Sequence, residues 1–130
     1  MTIDFFVAGT AKSTVTGSVV RAGNRLIPIR RHTEWAKYVK LVAAEHAPAT
    51  LLEGPISLSL EFVLMRPKSV GKRRGWPIVR PDLSNLAKGF DDALTGILWK
   101  DDAQIVRSSY GKVYGDRPGV QVTVSEMGPS

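Results

Sequence analysis

Ile56, Leu58, Leu60, Phe62 and Leu64 fall on one parity of the chain, and Ser57, Ser59 and Glu61 on the other. Successive side chains of a strand point to opposite faces, so this period of two predicts a strand with one face buried. A second alternation, Val120, Val122 and Val124 against Gln121, Thr123 and Ser125, follows the turn-forming run Asp116-Arg117-Pro118-Gly119. Together with the β-like stretch 104–114, it predicts a terminal hairpin. Residues 3–29 carry the β-forming runs Phe5-Phe6-Val7, Val19-Val20 and Leu26-Ile27, and Gly9, Gly17 and the pair Gly23-Asn24 read as turns between them.

Two segments have helical spacing instead. Thr33 suits an N-cap and Glu34 a first turn, and Trp35, Val39, Val42 and His46 recur before Pro48 stops the run, predicting a helix over 33–47. Leu83, Leu86, Ala87, Phe90, Leu94 and Ile97 form an apolar stripe, which predicts an amphipathic helix over 84–95 that ends near Gly96. On its opposite face lie Asn85, Lys88 and Asp92, with Asp91 and Ser84 flanking Lys88. The order β, β, α, β, α, β, β predicts one α+β (mixed α/β) domain over residues 1–130, with a mixed β-sheet and two main helices. A doubly wound parallel sheet would need regular alternation.

Length supports that reading, since 130 residues fill one core and not two. There is no cysteine, and only His32 and His46 represent histidine. Disulfide frameworks, thiolate zinc sites and cysteine nucleophiles are excluded, so any metal must rest on oxygen ligands. No run approaches the roughly 18 apolar residues of a membrane span, and the first residues lack a secretory pattern. The expectation is a soluble cytoplasmic protein without a membrane partner. No P-loop glycine pattern accompanies Gly71-Lys72 or Gly111-Lys112, so no nucleotide cofactor is expected.

Charge changes the picture more. A net charge of +6 and a pI near 9.9 point to an anionic partner. Arg66, Lys68, Lys72, Arg73, Arg74 and Arg80 fall in one stretch with no acid among them, alongside Gly71, Gly75, Pro67 and Pro77. Such a loop can track phosphates, with Trp76 stacking on a base, or it can be a solvated loop with Trp76 folded back as an apolar plug. Immediately downstream the sign reverses: Asp82, Asp91, Asp92, Asp101 and Asp102 face only Lys88 and Lys100. Convergent carboxylates from different elements can hold Mg²⁺ beside a phosphodiester, and Lys88 could offset charge on the phosphate. The plainer alternatives are that Asp82 caps a helix, Asp101-Asp102 form a polar turn, and Lys88 pairs with Asp92 across i,i+4.

The blocks Arg80-Pro81-Asp82-Leu83-Ser84-Asn85-Leu86-Ala87-Lys88, Asp92-Ala93-Leu94-Thr95-Gly96 and Trp99-Lys100-Asp101-Asp102-Ala103-Gln104-Ile105-Val106 together resemble the RusA family of Holliday junction resolvases. The family pattern is approximately P-D-x-D-N-L-x-K, D-A-L and D-D-x-Q-[IV]-V, with a further lysine in the next strand that Lys112 matches. The resemblance implies a homodimeric, bacterial or prophage-derived endodeoxyribonuclease that acts on branched DNA in recombination and repair. It implies carboxylate-bound Mg²⁺, with Mn²⁺ as a substitute. Carried over by position, Asp82 and Asp102 become metal ligands assisted by Asp101 or Asp92, and Lys88 becomes the essential lysine. Lys72, Arg73, Arg74, Arg80, Lys112 and Trp76 are the expected DNA contacts. Ser84 stands where the family has a second aspartate; it can offer a hydroxyl ligand, and Asp91 or Asp92 could compensate. A junction-binding protein that has lost catalysis through Ser84, or a generic nucleic-acid-binding domain, are the competing expectations.

Overall fold

The structure is a computed structural model that describes residues 1–68 and 75–128, apart from the side chains of Thr16, Ser18, Ile29, Arg30 and Arg31. In chain order the elements are β1 (Thr2–Ala8), β2 (Val15–Ala22), β3 (Arg25–His32), α1 (Glu34–Glu45), β4 (Ile56–Met65), α2 (Leu83–Ala87), α3 (Phe90–Leu94), a 3-10 turn at Asp102–Gln104, β5 (Ile105–Gly115) and β6 (Gly119–Glu126). Three strands precede α1 where two were expected. Gly17 makes no turn but lies inside β2, opposite Arg30 of β3.

Four strands form one mixed sheet in the order β1-β6-β4-β5, antiparallel except for the parallel pair β4 and β5. Strands β2 and β3 make a separate two-stranded ribbon. The alternation at 56–64 is realised as expected: Ile56, Leu58, Leu60 and Phe62 are buried, joined by Phe5 and Val7 of β1 and by Val120, Val122 and Val124 of β6. The helices cover that face with Val39, Ala43, Leu86, Phe90 and Leu94, and Phe62 meets Phe90 edge to face at 5.8 Å. On the other face Gln121 and Thr123 of β6 both donate to the Asp4 carboxylate. One face is thus dry and the other polar, as suits a largely antiparallel sheet.

The terminal hairpin is not formed. β5 and β6 are joined by the short turn at 116–118, but β4 lies between them and pairs with both. Two strand spacings are about 9.6 Å, which the four Cα steps from Gly115 to Gly119, about 3.8 Å each, can span. The turn residues specify a reversal of direction, and nothing in them specifies the neighbour.

α1 matches its expectation closely: the Thr33 side chain accepts from Ala36 N–H at 3.2 Å, and the helix ends at Glu45. The second expected helix does not run through. It breaks at Lys88 (φ −59, ψ 125) and Gly89 (φ 77) into α2 and α3, five residues each. The Lys88 carbonyl, no longer part of a helical ladder, accepts the Thr14 hydroxyl at 2.6 Å. The apolar stripe survives, with Leu86, Phe90 and Leu94 fully buried, because both short helices turn the same side to the sheet.

Gly89 has no room for a side chain. A Cβ there would lie 2.7 Å from Val15 Cγ1 and 2.9 Å from Thr14 Oγ1, in a left-handed conformation that costs other residues about 1–2 kcal/mol. Gly89→Ala is therefore expected to lower stability by at least about 2 kcal/mol in urea denaturation, overpacking included. A loss below about 0.5 kcal/mol, the range of ordinary surface changes, would show that the break is not clamped.

Candidate metal and nucleic-acid site

Asp91 and Asp92 open α3, and Asp102 opens the 3-10 turn. Each offers a carboxylate oxygen, and these oxygens lie within 4.8 Å of one another, the one such group among the described residues. The return of the chain after α3 makes this possible. Leu98 N–H donates to Leu94 O at 3.1 Å and Gly96 N–H to Trp99 O at 2.7 Å, while the Trp99 side chain is fully buried. At the corner the Thr95 hydroxyl contacts both the Asp91 carbonyl, at 2.8 Å, and Asp102 Oδ1. Having one proton, it donates to one of them at a time.

The plain alternatives for the acids divide. Asp101 is a cap: its Oδ1 accepts from Ala103 N–H at 2.9 Å, and Gln104 Oε1 accepts in return from Asp101 N–H at 2.8 Å. Gln104 Nε2 then ties the turn to the Leu52 and Gly54 carbonyls. Asp82 occupies the N-cap position of α2 but makes no capping hydrogen bond with its side chain. It is exposed, and with Arg80, Pro81 and Asn85 it lines an open depression. Capping thus explains Asp101 and does not explain Asp82. Asp82 is not among the three clustered acids.

Lys88 is exposed and makes no ion pair among the described residues. The helix break separates it from the i,i+4 geometry in which it would pair with Asp92. Its backbone is fixed on both sides, its N–H donating to Ser84 O at 3.0 Å and its carbonyl accepting from Thr14. Thr14 is fully buried, and the same segment receives Thr33, whose N–H donates to Thr14 O at 3.0 Å and whose hydroxyl donates to Ser13 O at 2.8 Å. Lys100, the other cation of the acidic segment, bridges to Glu53 at 2.5 Å. The Lys100 hydrogen bond and charge hold the Glu53 carboxyl below its usual range.

Of the expected DNA contacts, Lys112 is half-buried and its ammonium donates to Val79 O at 2.6 Å and Pro81 O at 3.0 Å, pinning the lead into α2. Arg80 is exposed beside Asp82. Trp76 is 68% exposed and is no apolar plug. Lys72, Arg73 and Arg74 lie outside the described residues. Ser84 is exposed on α2, whereas the clustered acids come from α3 and the 3-10 turn.

Three participants were hard to see in the sequence. Asp91 reads as one of the acidic run and as a flank of Lys88, and as a ligand only in compensation for Ser84, although its i,i+4 relation to Thr95 is a usable signal. Thr95 lies inside a matched block without a role of its own, and Thr14 lies in none.

Residues 8–125 match the family described as Endodeoxyribonuclease RusA. The chain is also similar to Uncharacterized protein YqaN of Bacillus subtilis (strain 168), 35% identical over 101 residues that cover 70% of this chain and 71% of the relative. The chain belongs to the RusA endodeoxyribonuclease family. Among the described residues no helix is long and apolar enough to cross a membrane.

Two pairs of variants separate scaffold from site. Asp101→Ala is expected to cost about 1 kcal/mol in chemical denaturation through the lost cap, and Asp82→Asn less than about 0.5 kcal/mol. Thr14→Val, which leaves the Lys88 carbonyl without its donor, is expected to cost about 1–3 kcal/mol, with Thr14→Ser restoring most of it. Equal losses for Thr14→Val and Thr14→Ser would show that packing, not the hydrogen bond, matters there.

Proposed function

We propose that the protein is a divalent-metal-dependent endodeoxyribonuclease that resolves four-way DNA junctions in the cytoplasm, acting as a homodimer with Mg²⁺ as the working ion and Mn²⁺ as a substitute. The observation that carries this reading is the group Asp91, Asp92 and Asp102 on a chain of net charge +6. Three like charges within 4.8 Å repel one another, and an all-oxygen carboxylate set fits a hard cation. Asp92 and Asp102 are the ligands we assign first, with Asp91 beside them and Asp82 facing the substrate from the N-cap of α2. A bound divalent ion would activate water and offset the charge that a phosphodiester gathers as it is cleaved.

The remaining work falls to the chain itself. Thr95 orients Asp102 through its hydroxyl. Lys88, exposed and held by Thr14, offers an unpaired ammonium to a phosphate oxygen. Lys112 keeps Asp82 in position through the Val79 and Pro81 carbonyls. Arg80 and Trp76 are exposed on the approach to α2, where a phosphate and an unstacked base can meet them. Symmetric cleavage of a four-way junction needs two equivalent sites, which a twofold dimer supplies.

Ser84 favours the alternative, a junction-binding protein without catalysis. The three clustered carboxylates favour the enzyme, since they gather without any contribution from position 84.

Purified protein incubated with a synthetic four-way junction, or with linear duplex of the same sequence, is expected to make paired cuts only in the junction. The cuts should require Mg²⁺ or Mn²⁺ and vanish in EDTA. Asp102→Asn and Asp92→Asn should each slow cleavage about 100-fold or more while leaving junction binding in EDTA intact. Tight junction binding without cuts at any metal concentration, with cleavage appearing in Ser84→Asp, would replace this reading with the binding protein.

A further inference from the structure

The ribbon of β2 and β3 belongs to neither the sheet nor the helical layer. Among the described residues its strands pair only with each other, from Val15 opposite His32 to Ala22 opposite Arg25, and Gly23 with φ 63 starts the two-residue turn at its tip. A glycine at the first turn position is what a tight two-residue hairpin of this hand requires. Val20 and Ile27 oppose each other on one face and are both 44% exposed; Val19 and Leu26 point to the other and are 63% and 65% exposed. Apolar side chains open on both faces mean that the ribbon stands clear of the domain, and an isolated two-stranded hairpin is marginal in water.

Its charge is one-sided. From Phe5 to Thr33 the sequence holds Lys12, Arg21, Arg25, Arg30 and Arg31 and no aspartate or glutamate. Arg21 and Arg25 are exposed beside the tip. Its root is also informative. Thr14, which begins the approach to β2, is the residue that holds the Lys88 carbonyl, and Val15 lies against Gly89. The ribbon therefore springs from the backbone that positions the proposed catalytic lysine.

We infer that the β2–β3 ribbon is a DNA arm that enters the major groove of a duplex branch next to the cleaved strand. The inference rests on the proposed action on branched DNA. Eight-residue strands reach about 26 Å, well beyond the groove's depth of about 8.5 Å, and the major groove admits a two-stranded ribbon. Arg21 and Arg25 then meet phosphates at the groove walls, and Val19, Val20, Leu26 and Ile27 lie against sugars and base edges such as thymine methyls.

The test is fluorescence anisotropy with a labelled four-way junction and a labelled duplex, in EDTA, across a salt series, with sedimentation to read mass. The double variant Arg21→Gln/Arg25→Gln is expected to bind both DNAs about tenfold more weakly, with a salt slope shallower by about 2. Val19→Ser/Leu26→Ser is expected to weaken binding at an unchanged slope. Melting temperatures and sedimenting mass should match the unaltered protein, since all four side chains are exposed. Unaltered affinity and slope in the arginine variant overturn the arm while leaving the nuclease reading intact. A change of mass in either variant also overturns it, by making the ribbon a contact between copies. Failure of the unaltered protein to bind either DNA sinks the nuclease reading and the arm together.

Discussion

The hydrogen bond from the buried Thr14 hydroxyl to the Lys88 carbonyl is the joint on which the arrangement turns. It stands where a helix would have supplied an i+4 N–H, and Gly89 makes the interruption possible by taking a conformation closed to other residues. Because Thr14 also receives the N-cap residue of α1, one short segment aligns three things: the start of the long helix, the gap between the two short ones and the foot of the ribbon. Without the interruption, residues 84–95 would form one straight rod, and the first turn of α3, with Asp91 and Asp92, would sit differently against the 3-10 turn.

The parts of the fold governed by a strong periodicity were legible in the sequence. The alternation in β4 and β6, the capped helix α1 and the buried stripe from Leu86 to Leu94 all follow from which side chains avoid water. What escaped was decided by contacts between distant segments. The stripe runs unbroken through Lys88 and Gly89 in sequence; Gly89 permits a break there, and Thr14, 74 residues away, fixes it. The neighbour of β6 was equally hidden, since a turn at 116–118 is compatible with adjacent strands or with a hop across one.

The site was legible in composition more than in geometry. A knot of aspartates on a basic chain marks the region where three carboxylates gather, and the family resemblance names Asp82, Lys88 and Asp102. Spacing could not distinguish Asp101, whose carboxylate closes a turn, from Asp102 beside it, which meets Asp91 and Asp92. Adjacent residues in a short loop point in different directions, and direction depends on Thr95 and on Gln104, which reaches back to Leu52 and Gly54.

The sheet order carries a consequence for how the molecule comes to exist. β6 sits between β1 and β4, so the first strand has no partner until the last one arrives, and contacts such as Thr2 with Ser125 close a loop of 123 residues. Such non-local pairing folds slowly, because chain entropy is lost before the contacts that offset it can form. On a ribosome the aspartates of α3 and the 3-10 turn emerge before the strand that locks the sheet beneath them. The cluster of Asp91, Asp92 and Asp102 therefore rests on a sheet that closes only once β6 has been made, although every residue of the cluster precedes that strand in the chain.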